Sequence, residues 1–187
     1  MELFMIFVIA GIIIIPLIIF IAIYNALVGL KNHVRESWAD IDIQLKRRYD
    51  LIPNLVNTVQ GYASHEAATF ERVIEARNRA FNNTGKYASQ AADETQMLET
   101  LKTLFAVVEK YPELKANQNF LKLQQELVDT EDKIAAARRF FNGNVRDYNN
   151  KVQMFPSNIV AGVFGFKDED FFEVQDDAVR KAVKIAI

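Results

Sequence analysis

Cysteine is missing altogether from this sequence. Its absence excludes disulfides, thiolate zinc sites, iron–sulfur clusters, cysteine nucleophiles and lipid attachment through a thiol. Glycine and proline are scarce, 7 and 4 in 187 residues that are 50% apolar, so long helices are favoured over strands and tight turns. Histidine is rarer still. His33 and His65 each lack a second histidine three or four residues away, the spacing that builds a zinc or di-iron site on one helix face. His65-Glu66 opens like a zinc-protease motif and stops there. No phosphate loop, dinucleotide fingerprint or nucleophile elbow occurs. The 22 basic residues are mixed among 24 acidic ones, without the basic stripe that a nucleic acid partner requires.

What is present begins with a run from Leu3 to Ile23 that carries no charge. At about 1.5 Å per helical residue it spans roughly 30 Å, the thickness of a hydrocarbon core. It lacks the basic start and small-x-small site of a cleaved signal peptide, and it is apolar all round where a soluble core helix keeps a polar face. Residues 1–25 are therefore expected to form a retained transmembrane helix, kinked at Pro16, with Tyr24 as an interfacial aromatic. Lys31 and Arg35 follow the span, against only Glu2 and the amino terminus before it, which assigns the C-terminal part to the cytoplasmic side of the inner or plasma membrane.

Residues 26–158 read as a long-helix bundle. Apolar residues continue at helical spacing from Leu27 and Leu30 through Val34, Trp38, Ile41 and Leu45 to Val59 and Tyr62. Pro53 predicts a kink, with a second near Gly61, before the helix resumes through Phe70 and Val73. Asn82-Asn83-Thr84-Gly85 is the clearest turn, with Gly85 suited to a left-handed helix end. A second helix over Met97 to Val108 is expected to stop before Pro112. A third, with Phe120, Leu123, Leu127, Thr130, Ile134, Phe141, Val145 and Tyr148 three and four apart, ends at Phe155-Pro156. Residues 159–187 read as an apolar, loop-like tail that packs on the bundle or on a neighbouring subunit, and Val183, Ile185 and Ile187 alternate with Lys184 and Ala186 in a pattern open to strand or helix. The fold class is all-α: a transmembrane helix continuing into an antiparallel bundle of three to four long helices.

Chemistry is hard to find. Glu126, Asp129 and Asp132 share one helix face, but without Glu-x-x-His partners they read as a solvated surface. Arg47 and Arg48 with Asp50, beside Pro53, are the most informative charges. An internal or intersubunit salt bridge is favoured for them over lipid phosphate. Asn142 and Asn149 have poor helix propensity within a long helix, which reads either as a tertiary or intersubunit contact that holds them or as a frayed, exposed helix end.

The block Glu36-Ser-Trp-Ala-Asp-Ile-Asp-Ile-Gln-Leu-Lys-Arg-Arg-Tyr-Asp-Leu-Ile-Pro-Asn-Leu-Val56 resembles the LemA family, as does Ala116-Asn-Gln-Asn-Phe120 through Thr130-Glu-Asp-Lys-Ile-Ala-Ala-Ala-Arg-Arg-Phe140. Val145-Arg-Asp-Tyr-Asn149 and Phe155-Pro-Ser-Asn158 extend the likeness, while Phe141 stands where tyrosine is usual and Gly143-Asn144 where better helix formers are common. The resemblance implies a single-pass bacterial membrane protein with a helical-bundle domain and no agreed activity. Relatives are linked to membrane organisation and to neighbouring membrane proteases. It adds Asp40, Arg138, Arg139, Arg146 and Phe155 to Trp38, Phe171 and Phe172 as candidate structural or intersubunit contacts. No catalytic residue, metal or cofactor is implied. The expected role is a scaffold, its partners a second copy of itself and the bilayer; the alternative is an anchored adaptor for another membrane protein such as a protease.

Overall fold

The computed structural model describes residues 1–174, with side chains outside positions 6–9. Six helices occur in order: α1 (Glu2–Gln60), α2 (Ala67–Asn82), α3 (Tyr87–Val108), α4 (Pro112–Lys115), α5 (Gln118–Gln153) and α6 (Ser157–Phe164). No strand occurs among the described residues, and the all-α reading holds.

Local chemistry sets the boundaries. α1 runs unbroken through Pro16 and Pro53 and ends before Gly61, where a kink was expected; residues 61–66 are a full break before α2. The Asn-rich turn is also closed differently from expectation. Gly85 has no positive φ. Instead the Asn83 side chain accepts a hydrogen bond from the Gly85 N–H at 2.8 Å and donates to Ser89 at 3.0 Å and to Asp93 at 2.6 Å. A Cβ on residue 85 would lie 2.9 Å from the Asn83 side-chain oxygen, so a larger residue there would push that side chain aside. The left-handed position is Gly165, at φ 71°, which ends α6. Pro112 takes the first turn of α4, where its missing N–H costs nothing. α6 itself corrects the loop-like reading of the chain after Pro156.

The described residues pack as two compact units. The first joins Met1–Ala39 to Phe140–Glu169. Its buried residues include Leu27, Val34, Phe141, Val145 and Tyr148, with Val160 and Ala161 from α6. Here α1 and α5 pair in opposite directions, since Trp38 meets Phe141 edge-on at 5.4 Å and the Asn144 amide reaches the carbonyl of His33, earlier in α1, at 3.4 Å. The second unit joins Asp40–Arg139 to the segment beginning at Asp170. Ile41, Leu45, Ile52, Leu55 and Val59 of α1, Val73 of α2, Met97, Leu101 and Leu104 of α3, and Phe120, Leu127 and Ile134 of α5 form its core. Along α1, α3 and α5 these residues recur three, four or seven positions apart, so each of those helices turns one apolar stripe inward. These units cut across the segments bounded at residues 25 and 158 from the sequence. The alternating residues 183–187 lie outside the described residues.

Candidate functional site

In the second unit a guanidinium sits where the stripe alone would place a hydrocarbon. Arg48 is 1% exposed. One of its terminal nitrogens bonds both oxygens of Glu131, at 2.7 and 2.9 Å, and the other pairs with Glu94, which is equally buried. The Tyr49 hydroxyl donates to the same Glu94 carboxylate. Arg77 donates from Nε to the Tyr49 carbonyl at 3.1 Å and lies 4.7 Å above the Phe81 ring. Burial pushes the Tyr49 phenol up to about 12, against smaller opposing pulls from Arg48 and Arg77. The phenol therefore stays protonated, able to donate to the carboxylate, throughout the ordinary pH range.

The cluster borders a cavity of about 210 Å³ that Leu45, Leu98, Ile134, Arg138, Phe172 and Val174 also line. Arg48 is committed to two carboxylates, and no nucleophile–base pair faces the space. No group of three or more His, Cys, Asp or Glu residues able to hold a metal ion occurs among the described residues. The arrangement does what a charged buried network does: it fixes the register of α1, α3 and α5, because any slip strands a charge in the core.

The first unit is tied together at its C-terminal end. Asn149 donates to the Glu169 carbonyl and accepts from its N–H, both at 2.9 Å. Tyr148 donates to the Lys167 carbonyl at 3.0 Å, and Lys31 approaches Glu169 at 3.7 Å. Burial, with Glu169 and Asp168 adding to it, raises the Tyr148 phenol above its ordinary value. Leu27, Val160 and Ala161 form a small core, with Phe20, Ile23, Tyr24, Val152 and Phe166 packed around it. Lys31 sits 5.9 Å from the Phe166 ring.

Of the residues singled out from the sequence, the structure buries Arg48 and Phe172, half-buries Trp38, Arg138, Asn142 and Asn149, and leaves Asp40, Arg47, Arg139 and Phe171 exposed. Asp50 is exposed, 3.9 Å from Arg77. Arg146 pairs with its neighbour Asp147 at 3.1 Å. Pro53 lies within α1, and Phe155 is 79% exposed. Trp38 meets Phe141 of its own chain edge-on, and Phe172 is buried in the second unit.

The sequence reading missed Glu94, Glu131 and Tyr49. Glu94 had a usable signal. It stands three residues before Met97 in the stripe that continues through Leu101, Leu104 and Val108, so a carboxylate occupies an inward position and demands a partner.

The N-terminal part of α1 is long and apolar enough to cross a membrane, with an 18-residue window of mean hydropathy 3.3, none of it buried. The LemA family model matches residues 37–186. Magnetosome protein MamQ of Magnetospirillum gryphiswaldense (strain DSM 6361 / JCM 21280 / NBRC 15271 / MSR-1) is 24% identical over 174 residues, covering 80% of this chain and 64% of its own length. Magnetosome protein MamQ 2 of Paramagnetospirillum magneticum (strain ATCC 700264 / AMB-1) is 24% identical over 175 residues, again 80% and 64%. Protein LemA of Metamycoplasma hominis (strain ATCC 23114 / DSM 25592 / NBRC 14850 / NCTC 10111 / PG21) is 26% identical over 137 residues, 73% of this chain and 63% of the relative. The chain thus spans a little under two thirds of these relatives. With the family model matched across both compact units and the buried Arg48 cluster, the chain belongs to the LemA family.

Proposed function

We propose that this chain is a non-enzymatic, membrane-anchored scaffold whose copies associate side by side to organise or shape the bilayer. The observation that carries the anchor is the bare apolar window of α1, whose isoleucines and leucines would be costly in water. That window belongs to the helix that continues to Gln60, which favours a retained span over a removable leader. Lys31 and Arg35 beyond the span favour a cytoplasmic bundle. The relatives named as magnetosome proteins agree with a role in membrane organisation. Buried charges committed to one another, Arg48 to Glu94 and Glu131, favour structure over catalysis. Lateral association rests on surface left uncovered: Leu121, Val128 and Phe140 on α5 and Ile43 on α1 are large, apolar and exposed.

Mass measurement on detergent-extracted protein tests the assembly. Particles of several chains are expected, and a clean monomer at high concentration would end that reading.

A further inference from the structure

α6 is eight residues long, Ser-Asn-Ile-Val-Ala-Gly-Val-Phe, and carries no charge. The uncharged stretch extends from Val152 to Phe166. One face is spent inside: Ser157, Val160 and Ala161 are buried, the last two on Leu27. In a water-facing helix the opposite face would be polar. Here it holds Ile159 and Val163, and the turn before it holds Met154 and Phe155, all large, apolar and more than half exposed.

Where this surface sits decides what covers it. Phe164 lies 5.8 Å from the Phe20 ring and 4.6 Å from the Tyr24 ring, and Tyr24 is 5.8 Å from Phe166. Phe20 and Tyr24 stand where the apolar run Leu3 to Ile23 of α1 ends, ahead of Asn25 and Lys31, so α6 lies at the depth where hydrocarbon gives way to headgroups. Cations flank the stretch, Lys151 before it and Lys167 after it, at the ends where headgroup phosphates would meet them. The last link, from Gly165 to Glu169, is held to α5 by Asn149 and Tyr148, so the element is fixed in place and not a loose tail.

We propose that α6 and the Phe155 turn form a second membrane element, lying in the bilayer interface beside the base of the span, with lipid covering their exposed apolar face. It rests on reading α1 as a span, and it deepens the scaffold role: a short element inserted in one leaflet only adds area to that leaflet.

Because the chain has no cysteine, single cysteines report without background. Full-length Val163→Cys, Ile14→Cys and Lys122→Cys variants would each carry a nitrobenzoxadiazole label. Each would be reconstituted in phosphatidylcholine–phosphatidylglycerol vesicles with and without doxyl-labelled lipid. Positions 14 and 163 are expected to emit blue-shifted light and lose most of it to the doxyl lipid, while position 122 does neither. Quenching at 14 with a water-like signal at 163 overturns the α6 proposal and leaves the span intact. A blue-shifted but unquenched label at 163 also overturns it, since protein would then be the cover. No quenching at 14 removes the span, and the α6 proposal with it.

Discussion

Ile14 and Val163 of the first compact unit are 51% and 67% exposed, whereas Arg48 and Glu94 of the second are 1% exposed. The first unit shows hydrocarbon outward and the second hides charge inward, on helices that share one backbone geometry. What differs is the surroundings each part is built for. A side chain facing lipid needs no polar face to remain in solution. A bundle in water must bury its stripe, and it uses paired ions inside to choose one register among several apolar ones. On the proposed reading, the contrast separates affinity for the membrane, carried by the first unit, from uniqueness of packing, carried by the second.

The largest expected effect lies at the buried cluster. Arg48→Ala leaves Glu94 without its ion partner in the core and should cost about 3–5 kcal/mol, read as a lowered denaturation midpoint by circular dichroism. Replacing Arg48 with Met and Glu94 with Leu together should recover much of that loss; equal damage in both variants would mean that packing, and not charge, holds the three helices. Next comes Ile14→Lys, which should weaken insertion by roughly 2.5–3.5 kcal/mol, seen as protein moving out of the membrane fraction. Ile43→Lys, at an equally exposed apolar site in the second unit, should leave the membrane fraction unchanged. If the two behave alike, exposure alone does not distinguish the units.

A smaller effect is expected at Asn149. Its change to Ala removes two hydrogen bonds to Glu169 and should cost about 1–3 kcal/mol, with faster hydrogen exchange confined to residues 165–169. Smallest is the effect of alkaline pH on Tyr49. Its folded value, about 12, stands above the unfolded value of 10.0, so its contribution is complete below pH 10 and is lost as pH rises toward 12. Tyr49→Phe should lose less stability than the parent between those pH values. Parallel pH profiles for the two proteins would show that the phenol is not shielded.

Some of this was written in the chain at short range. Apolar spacing placed the long helices, and the scarcity of glycine and proline favoured them over strands. The turn at Asn82 to Gly85 was legible by composition, although its closure by the Asn83 side chain was not. The break after Gln60 was read as a kink, because nothing within a few residues tells whether a helix resumes on the same axis. Arg48 was singled out by its place beside Pro53, but its acids lie 46 and 83 positions away on α3 and α5, and pairing over such distances depends on how helices stack. α6 was hidden for a related reason: its apolar residues fit a loop as well as a helix until Leu27 and Tyr24 provide a surface to pack against.

By itself, then, the sequence determined the uncharged stretch at one end, the helical periodicity and the absence of thiol chemistry, since these depend on composition and on neighbours within a turn or two. Only the tertiary structure decided that Arg48, Glu94, Glu131 and Tyr49 meet, that Phe172 is core, and that a short apolar helix lies against Phe20, Tyr24 and Leu27 of α1. Which side chains share a buried volume follows from contacts between distant segments, and no local pattern encodes those.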